Sequence, residues 1–178
     1  MNPNWPAGDE QPIAWLAYSA FAMQLVGPMV ELEASVDIPS RPEAVWAVLT
    51  DFSRFSEWNP FIRQASGIAR VGADIGVRVR TSRGVPLVFH AKVTLCKVNR
   101  ELCWSGHVLA PWFAKGEHTF TLEPTGHGVR FRQREVFTGV FPSLARSLLV
   151  RETRKGFESM NEALKARAQS ARSAPSCG

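Results

Sequence analysis

Residues 116–139 read GEHTFTLEPTGHGVRFRQREVFTG: two runs of alternating polarity flank Pro124-Thr125-Gly126-His127-Gly128, a Pro/Gly-rich segment with the chemistry of a hairpin turn. Side chains on a strand alternate between faces. Parity therefore puts Gly116, His118, Phe120 and Leu122 on one face of the first strand, and Val129, Phe131, Gln133, Glu135 and Phe137 on the same face of the second. The opposite faces carry Glu117, Thr119, Thr121 and Glu123, then Arg130, Arg132 and Arg134. Three polar side chains, His118, Gln133 and Glu135, thus intrude on an apolar face. An inward carboxylate is costly unless it is paired, hydrogen-bonded or neutralised, so the pattern calls for a partner. A four-residue turn sets His118 directly across from Glu135; a two-residue turn sets it across from Gln133 with Glu135 diagonal. Both registers gather one polar cluster.

Composition bounds what such a cluster can serve. A chain of 178 residues, 45% hydrophobic and 21% charged, suits one domain of mixed structure with a full core. The net charge of +5 is spread over several elements, with no zinc-finger spacing, basic helix or aromatic RNA-binding signature, which argues against nucleic acid as a partner. Cys96, Cys103 and Cys177 form no CxxC pair and no disulfide framework, so a reducing cytoplasm is expected.

Residues 1–28 are set apart as an N-terminal extension. Ile13 to Val26 (IAWLAYSAFAMQLV) is uncharged and largely apolar, yet shorter than the roughly 20 residues a membrane-spanning helix needs. Asp9 and Glu10 precede it where a secretory signal would carry positive charge. It reads as a short helix, apolar around its circumference, that must bury itself against this domain, a second copy or a membrane surface. A translation start at Met23 or Met29, which would make the segment non-native, is the other reading.

From Val30 the pattern is regular. Val30, Leu32, Ala34, Val36 and Ile38 alternate with Glu31, Glu33, Ser35 and Asp37, a half-buried strand ended by Pro39. Ser40-Arg41-Pro42-Glu43 reads as a capping box for a helix carrying Val45, Trp46, Leu49 and Phe52 inward. A second short helix begins at Asp51 and stops at Trp58-Asn59-Pro60. Strands then recur. Ile75, Val77, Val79 and Thr81 face inward with Arg78 and Arg80 outward, and Arg83-Gly84 turns into Leu87, Phe89, Ala91, Val93 and Leu95. His90 points outward, as an ordinary solvated histidine. Asn99-Arg100 turns into Leu102, Trp104, Gly106 and Val108. Pairing Leu95 with Trp104 sets Cys96 across from Cys103 on the outer face, within disulfide reach, although free thiols are expected inside a cell. Together Arg78, Arg80, Lys92, Arg130, Arg132 and Arg134 predict a basic outer surface, which is chiefly a solvated face.

One long helix closes the domain. Ser143 is its expected cap, and Leu149, Thr153, Phe157, Met160 and Leu164, extended by Leu144 and Leu148, form its apolar stripe. Gly156 costs about 1 kcal/mol against alanine in mid-helix, which suggests that something approaches closely there. Residues 169–178 lack an apolar period and read as a disordered tail.

Strand, two short helices, antiparallel strands and a long helix make an α+β layout in which a curved sheet leaves a cavity against the helix. The segments FSEWNPFI (residues 55–62), ELCWSG (101–106), GEHTFTLEP (116–124), REVFTG (134–139) and TRKGFESMNEALKARA (153–168) resemble the SRPBCC superfamily, also called START-like. More narrowly they resemble its bacterial polyketide cyclase/dehydrase and lipid-transport-like members. The resemblance covers residues 29–168 and implies the helix-grip fold, a seven-stranded antiparallel sheet curved around the C-terminal helix with a hydrophobic cavity between them. It also implies that Trp58, Asn59, Pro60, His118 and Glu135 match a recurrent pattern of the family.

Fold analogy names no activity. The chain has no GxSxG elbow, no Walker sequence, no HExxH and no zinc spacing, so neither a metal nor another cofactor is expected. Two functions remain open. In one, the cavity binds a lipid, isoprenoid or polyketide-like molecule, contacted by Trp58, Phe89, Trp104, His118, Phe120, Phe131, Gln133, Glu135, Phe157 and Met160. In the other, His118 and Glu135 are the acid/base pair of a cyclase or dehydratase. A weak membrane-surface contact and a homodimer through the N-terminal segment complete the expected partners. The bland reading is that the polar cluster only satisfies its own hydrogen bonds.

Overall fold

The computed structural model describes residues 29–81, Gly84 and residues 86–173. Its frame is one seven-stranded antiparallel sheet in the order β1-β7-β6-β5-β4-β3-β2. The strands are β1 (Val30–Ile38), β2 (Ile62–Ser66), β3 (Asp74–Arg80), β4 (Pro86–Lys97), β5 (Glu101–Val108), β6 (Ala114–Thr125) and β7 (Gly128–Thr138). Between β1 and β2 run α1 (Pro42–Thr50), a 3-10 turn (Phe52–Arg54) and α2 (Phe55–Trp58); α3 (Val140–Leu144) and α4 (Arg146–Ser173) follow β7. Helix α4 packs on β1 and α1 and closes the concave face. This is the α+β helix-grip arrangement.

The central hairpin takes the directly opposed register, His118 against Glu135 and Phe120 against Gln133. Pro124 does not end the strand as expected: it pairs with Val129 and the ladder continues through Thr125 and Gly128, so the loop is only Gly126-His127, and the directly opposed register comes with a two-residue loop instead of the expected four-residue one. Pairing at β1 repeats the inward parity, with Leu32 opposite Glu135 and Val36 opposite Phe131.

Several local expectations are corrected. Strand β2 has the burial pattern of an edge strand, one fully buried residue followed by largely exposed ones, and so offers no alternation to read. The cap of α1 is Arg41, not Ser40. A residue before proline is driven to extended backbone, so Arg41 ahead of Pro42 is the last non-helical position, and the Ser40 hydroxyl is left buried without a partner. A bulge at Thr94 shifts the β4 to β5 pairing: Val93 opposes Trp104, Leu95 opposes Cys103 and Cys96 opposes Leu102. Cys96 and Cys103 therefore sit on opposite faces, and both are free thiols.

Ser143 lies inside α3 and donates to the Gly139 carbonyl instead of capping α4. Leu144 is 83% exposed and leaves the helix stripe. Residues 169–173, expected to belong to the tail, continue α4 to Ser173. Four of the six cations expected to make the outer face basic are paired with carboxylates, while Arg78 meets only Gln64 and Arg80 lines the cavity. Arg130 pairs with Asp37, Arg132 with Glu33 and Glu123, Arg134 with Glu31, and Lys92 with Asp74, so carboxylates of β1, β3 and β6 offset the charge on β4 and β7. Residues 1–28, with the helix and dimer contact expected of them, and Arg83, Cys177 and residues 174–178 lie outside the described residues. Among the described residues no helix is long and apolar enough to cross a membrane.

Candidate functional site

The space between sheet and helix is unevenly filled. Toward the C-terminal end of α4, Leu102, Phe120, Leu122, Val129, Phe131, Met160 and Leu164 form a continuous core with α1 and the 3-10 turn. Toward its N-terminal end lies a cavity of about 300 Å³. The inward positions of β5 and β6 explain where the change occurs. Leu102 and Phe120 face each other in the core; Trp104 and His118 face each other next; then come Gly106 and Gly116, with no side chains. The cavity continues past those glycines, walled by Phe61, Val77, Phe89, Phe113, Phe137 and Leu149. At its open end Phe113 stacks on Phe141 of α3, with ring centroids 5.6 Å apart. Gly139 makes that junction possible: its φ of 114° favours glycine, and a Cβ there would lie 2.6 Å from the Phe113 carbonyl oxygen.

His118 and Glu135 stand at the boundary between core and cavity, only 5% and 8% exposed. Their side chains meet at 3.2 Å, His118 Nδ1 to Glu135 Oε2. The imidazole is held between the Phe120 and Phe157 rings, at centroid distances of 4.0 and 4.8 Å, with Trp104 edge-on at 5.5 Å. Burial pulls the His118 pKa down to about 3, against a hydrogen bond to Gln133 that favours the charged form. Burial, with the negative charge of Glu117 in addition, pushes the Glu135 carboxyl up to about 8. Both directions disfavour ions, so the pair at neutral pH is a neutral imidazole and a protonated carboxyl.

The tautomer follows from the next residues. Gln133 Nε2 donates to Asn161 Oδ1 at 2.6 Å and to the Phe157 carbonyl at 3.3 Å, which turns Gln133 Oε1 toward His118 Nε2 at 3.2 Å. His118 therefore carries its proton on Nε2 and donates it to Gln133. Nδ1 is left as an acceptor for the Glu135 hydroxyl. The chain from Glu135 through His118 and Gln133 to Asn161 ties the sheet to α4.

The sequence-derived candidates divide accordingly. Phe89, Trp104, His118 and Glu135 line the cavity. Phe120, Phe131, Gln133, Phe157 and Met160 are fully buried beside or behind it, in the core and the polar chain. Trp58 is elsewhere, packed edge-on against Phe55 at 5.1 Å. Asn59 serves the backbone: its Oδ1 accepts from the amides of Phe61 and Ile62 and fixes the entry to β2. Asn161 was not anticipated, although its place beside Met160 on the buried stripe marks it as a polar residue needing a partner. Phe61 was missed as well. Its signal is Gly156, where a Cβ would collide with the Phe61 ring, so the expected close approach is made by an aromatic side chain. Among the described residues no group of three or more His, Cys, Asp or Glu could hold a metal ion.

Known proteins agree with this architecture. A family model described as polyketide cyclase/dehydrase and lipid transport matches residues 29–169. The chain is similar to the Zhui aromatase/cyclase from Streptomyces sp. R1128, with a TM-score of 0.70 at 16% identity, covering 85% of this chain and 99% of that one. A START superfamily protein from Mycobacterium smegmatis gives 0.62 at 20% identity, covering 82% and 99%. Protein MLL2253 from Mesorhizobium loti gives 0.62 at 20%, covering 79% and 97%. No curated protein matches. At these identities the structures establish the fold alone, while the model match spans most of the sequence: the chain belongs to the polyketide cyclase/dehydrase and lipid-transport family.

Proposed function

We propose that this protein binds a hydrophobic small molecule, of lipid, isoprenoid or polyketide-like character, in the cavity between the sheet and α4. The observation that carries the reading is the cavity itself, about 300 Å³ with largely apolar walls and a buried polar pair at its inner end. That is the usual form of a small-molecule site, an apolar volume with few orienting groups. Burying a carboxyl costs stability unless it is paired or neutralised, and the adjoining core is filled without one.

The geometry favours binding over the cyclase or dehydratase reading. A general base needs a lone pair facing its substrate. His118 Nε2 is bonded to Gln133, and Nδ1 is turned to the Glu135 carboxyl at 3.2 Å. Cytoplasmic residence is part of the same reading, since Cys96 and Cys103 sit unpaired on opposite faces. Native mass spectrometry of the purified protein tests it. The expected result is an apolar adduct on the wild type that is lost in Leu149→Trp, which fills the cavity from α4. A folded wild type that neither carries nor takes up any apolar molecule would overturn the proposal.

A further inference from the structure

Most polar atoms along the buried chain are committed. Gln133 uses its amide on Asn161 and Phe157 and its carbonyl on His118, and His118 uses its second nitrogen on Glu135 Oε2. Glu135 Oε1, at the cavity end of the chain, is not: among the described residues it accepts no hydrogen bond. It is turned toward Gly116, where a Cβ would lie only 2.6 Å away, and Gly116 and Glu135 both line the cavity. The missing side chain at Gly116 is what opens this oxygen to a ligand.

We propose that Glu135 Oε1 is a hydroxyl-selecting acceptor, so that the ligand is a neutral apolar alcohol or phenol whose O–H points to the inner end of the cavity. This rests on the binding reading and names the ligand class for that same site. The tautomer chain sets the sign. With the carboxyl hydrogen directed along Oε2 to His118 Nδ1, Oε1 behaves as a carbonyl oxygen and can only accept. A ligand ether or ketone brings a second acceptor to it and gains nothing. A ligand carboxylate brings an anion against that oxygen in a desolvated pocket, with Glu152 also on the wall. The cationic wall residues Arg80 and Lys115 are exposed at the mouth, so they cannot neutralise a charge at the inner end.

Calorimetric titration of the full chain at neutral pH with decanol, decyl methyl ether and decanoate tests this. Decanol is expected to bind on the order of ten-fold more tightly than the ether, the worth of one well-made hydrogen bond, with decanoate weakest. Glu135→Met should bring alcohol and ether to equal affinity, and Glu135→Gln should rescue the preference. Its amide can donate to His118 Nδ1 and still present a carbonyl oxygen. Equal affinities in the wild type overturn the hydroxyl assignment but leave the binding site standing. Tightest binding of decanoate overturns it in favour of the mouth cations. No binding of any probe overturns both. The wild-type series decides the matter even if Glu135→Met fails to fold.

Discussion

The two ends of the space between sheet and helix use the same strands, the same parity and the same helix face, yet one is solid and the other hollow. At the solid end the facing inward pair of β5 and β6 is Leu102 and Phe120; two pairs further along it is Gly106 and Gly116. Parity alone decides which side chains point inward. Their volume decides whether inward means core or site. The polar chain from Glu135 to Asn161 lies where filling stops, which is where a buried group can be held by the core and still face a ligand.

The largest effect that could break this division is a pair of phenylalanine truncations. Phe131 is completely buried and stacked behind Phe120, whereas Phe89 is half-buried on the cavity wall. Phe131→Ala should cost about 3 to 5 kcal/mol, the usual range for a packed aromatic. Phe89→Ala removes a side chain that already borders empty space and should cost clearly less. Urea denaturation of both variants measures the difference. Equal costs would mean that the cavity wall is as tightly packed as the core.

The pH dependence of stability probes the boundary itself. Glu135 is raised from an ordinary 4.5 to about 8, so its contribution is fully present below pH 4.5 and is lost as pH rises toward 8. His118 is lowered from 6.5 to about 3, so its contribution is present above pH 6.5 and is lost as pH falls toward 3. Each proton gives a slope of about 1.4 kcal/mol per pH unit. Between pH 4.5 and 6.5 the slopes oppose and nearly cancel; outside that window stability falls on both sides, by about 2 kcal/mol from pH 6.5 to 8. Glu135→Gln should abolish the alkaline limb and spare the acid one. An alkaline limb that persists in this variant belongs to another group.

How much of this was legible beforehand follows from what each pattern encodes. Alternation in residues 116–139 placed His118, Gln133 and Glu135 on one inward face, because registers two residues apart keep the same faces together. It could not show Asn161, whose meeting with Gln133 depends on how α4 lies across the sheet. It failed at Thr94, since one inserted residue reverses parity without changing composition, and Cys96 and Cys103 were misplaced as a result. It was silent on β2, an edge strand with too few residues and too little burial to alternate. The glycines of the cavity were visible as inward positions but not as space. Emptiness is a property of what surrounds them.

Gly156→Ala sharpens the wall between the two ends. Alanine is favoured in a helix by about 1 kcal/mol, so propensity alone predicts stabilisation. The new Cβ would meet the Phe61 ring, which packs edge-on against Phe157 at 5.9 Å. Displacing a packed ring costs typically about 1 to 3 kcal/mol, so the variant should be neutral to destabilised. Phe61 should also be pushed into the cavity and weaken uptake of an apolar probe. A rise in melting temperature with unchanged uptake would show that Phe61 has room to move aside.

The smallest effect is expected on the face that points away from the cavity. Arg130 and Asp37 meet in a two-pronged contact, at 2.8 and 3.1 Å, across the β1 to β7 edge of the sheet, but both are exposed to solvent. Exposed pairs are screened, and holding two long side chains in one geometry costs entropy that offsets most of the attraction. Arg130→Ala, alone or with Asp37→Ala, should therefore leave the melting temperature and probe uptake unchanged within error, and added salt should make no difference. The inner face of the same two strands carries Ile38, Val129 and Phe131, all buried, so loss of the outer pair leaves the strand pairing and the core beneath it intact. A clear loss of probe uptake in Arg130→Ala would show that outer charges hold the sheet's curvature, and with it the hollow end.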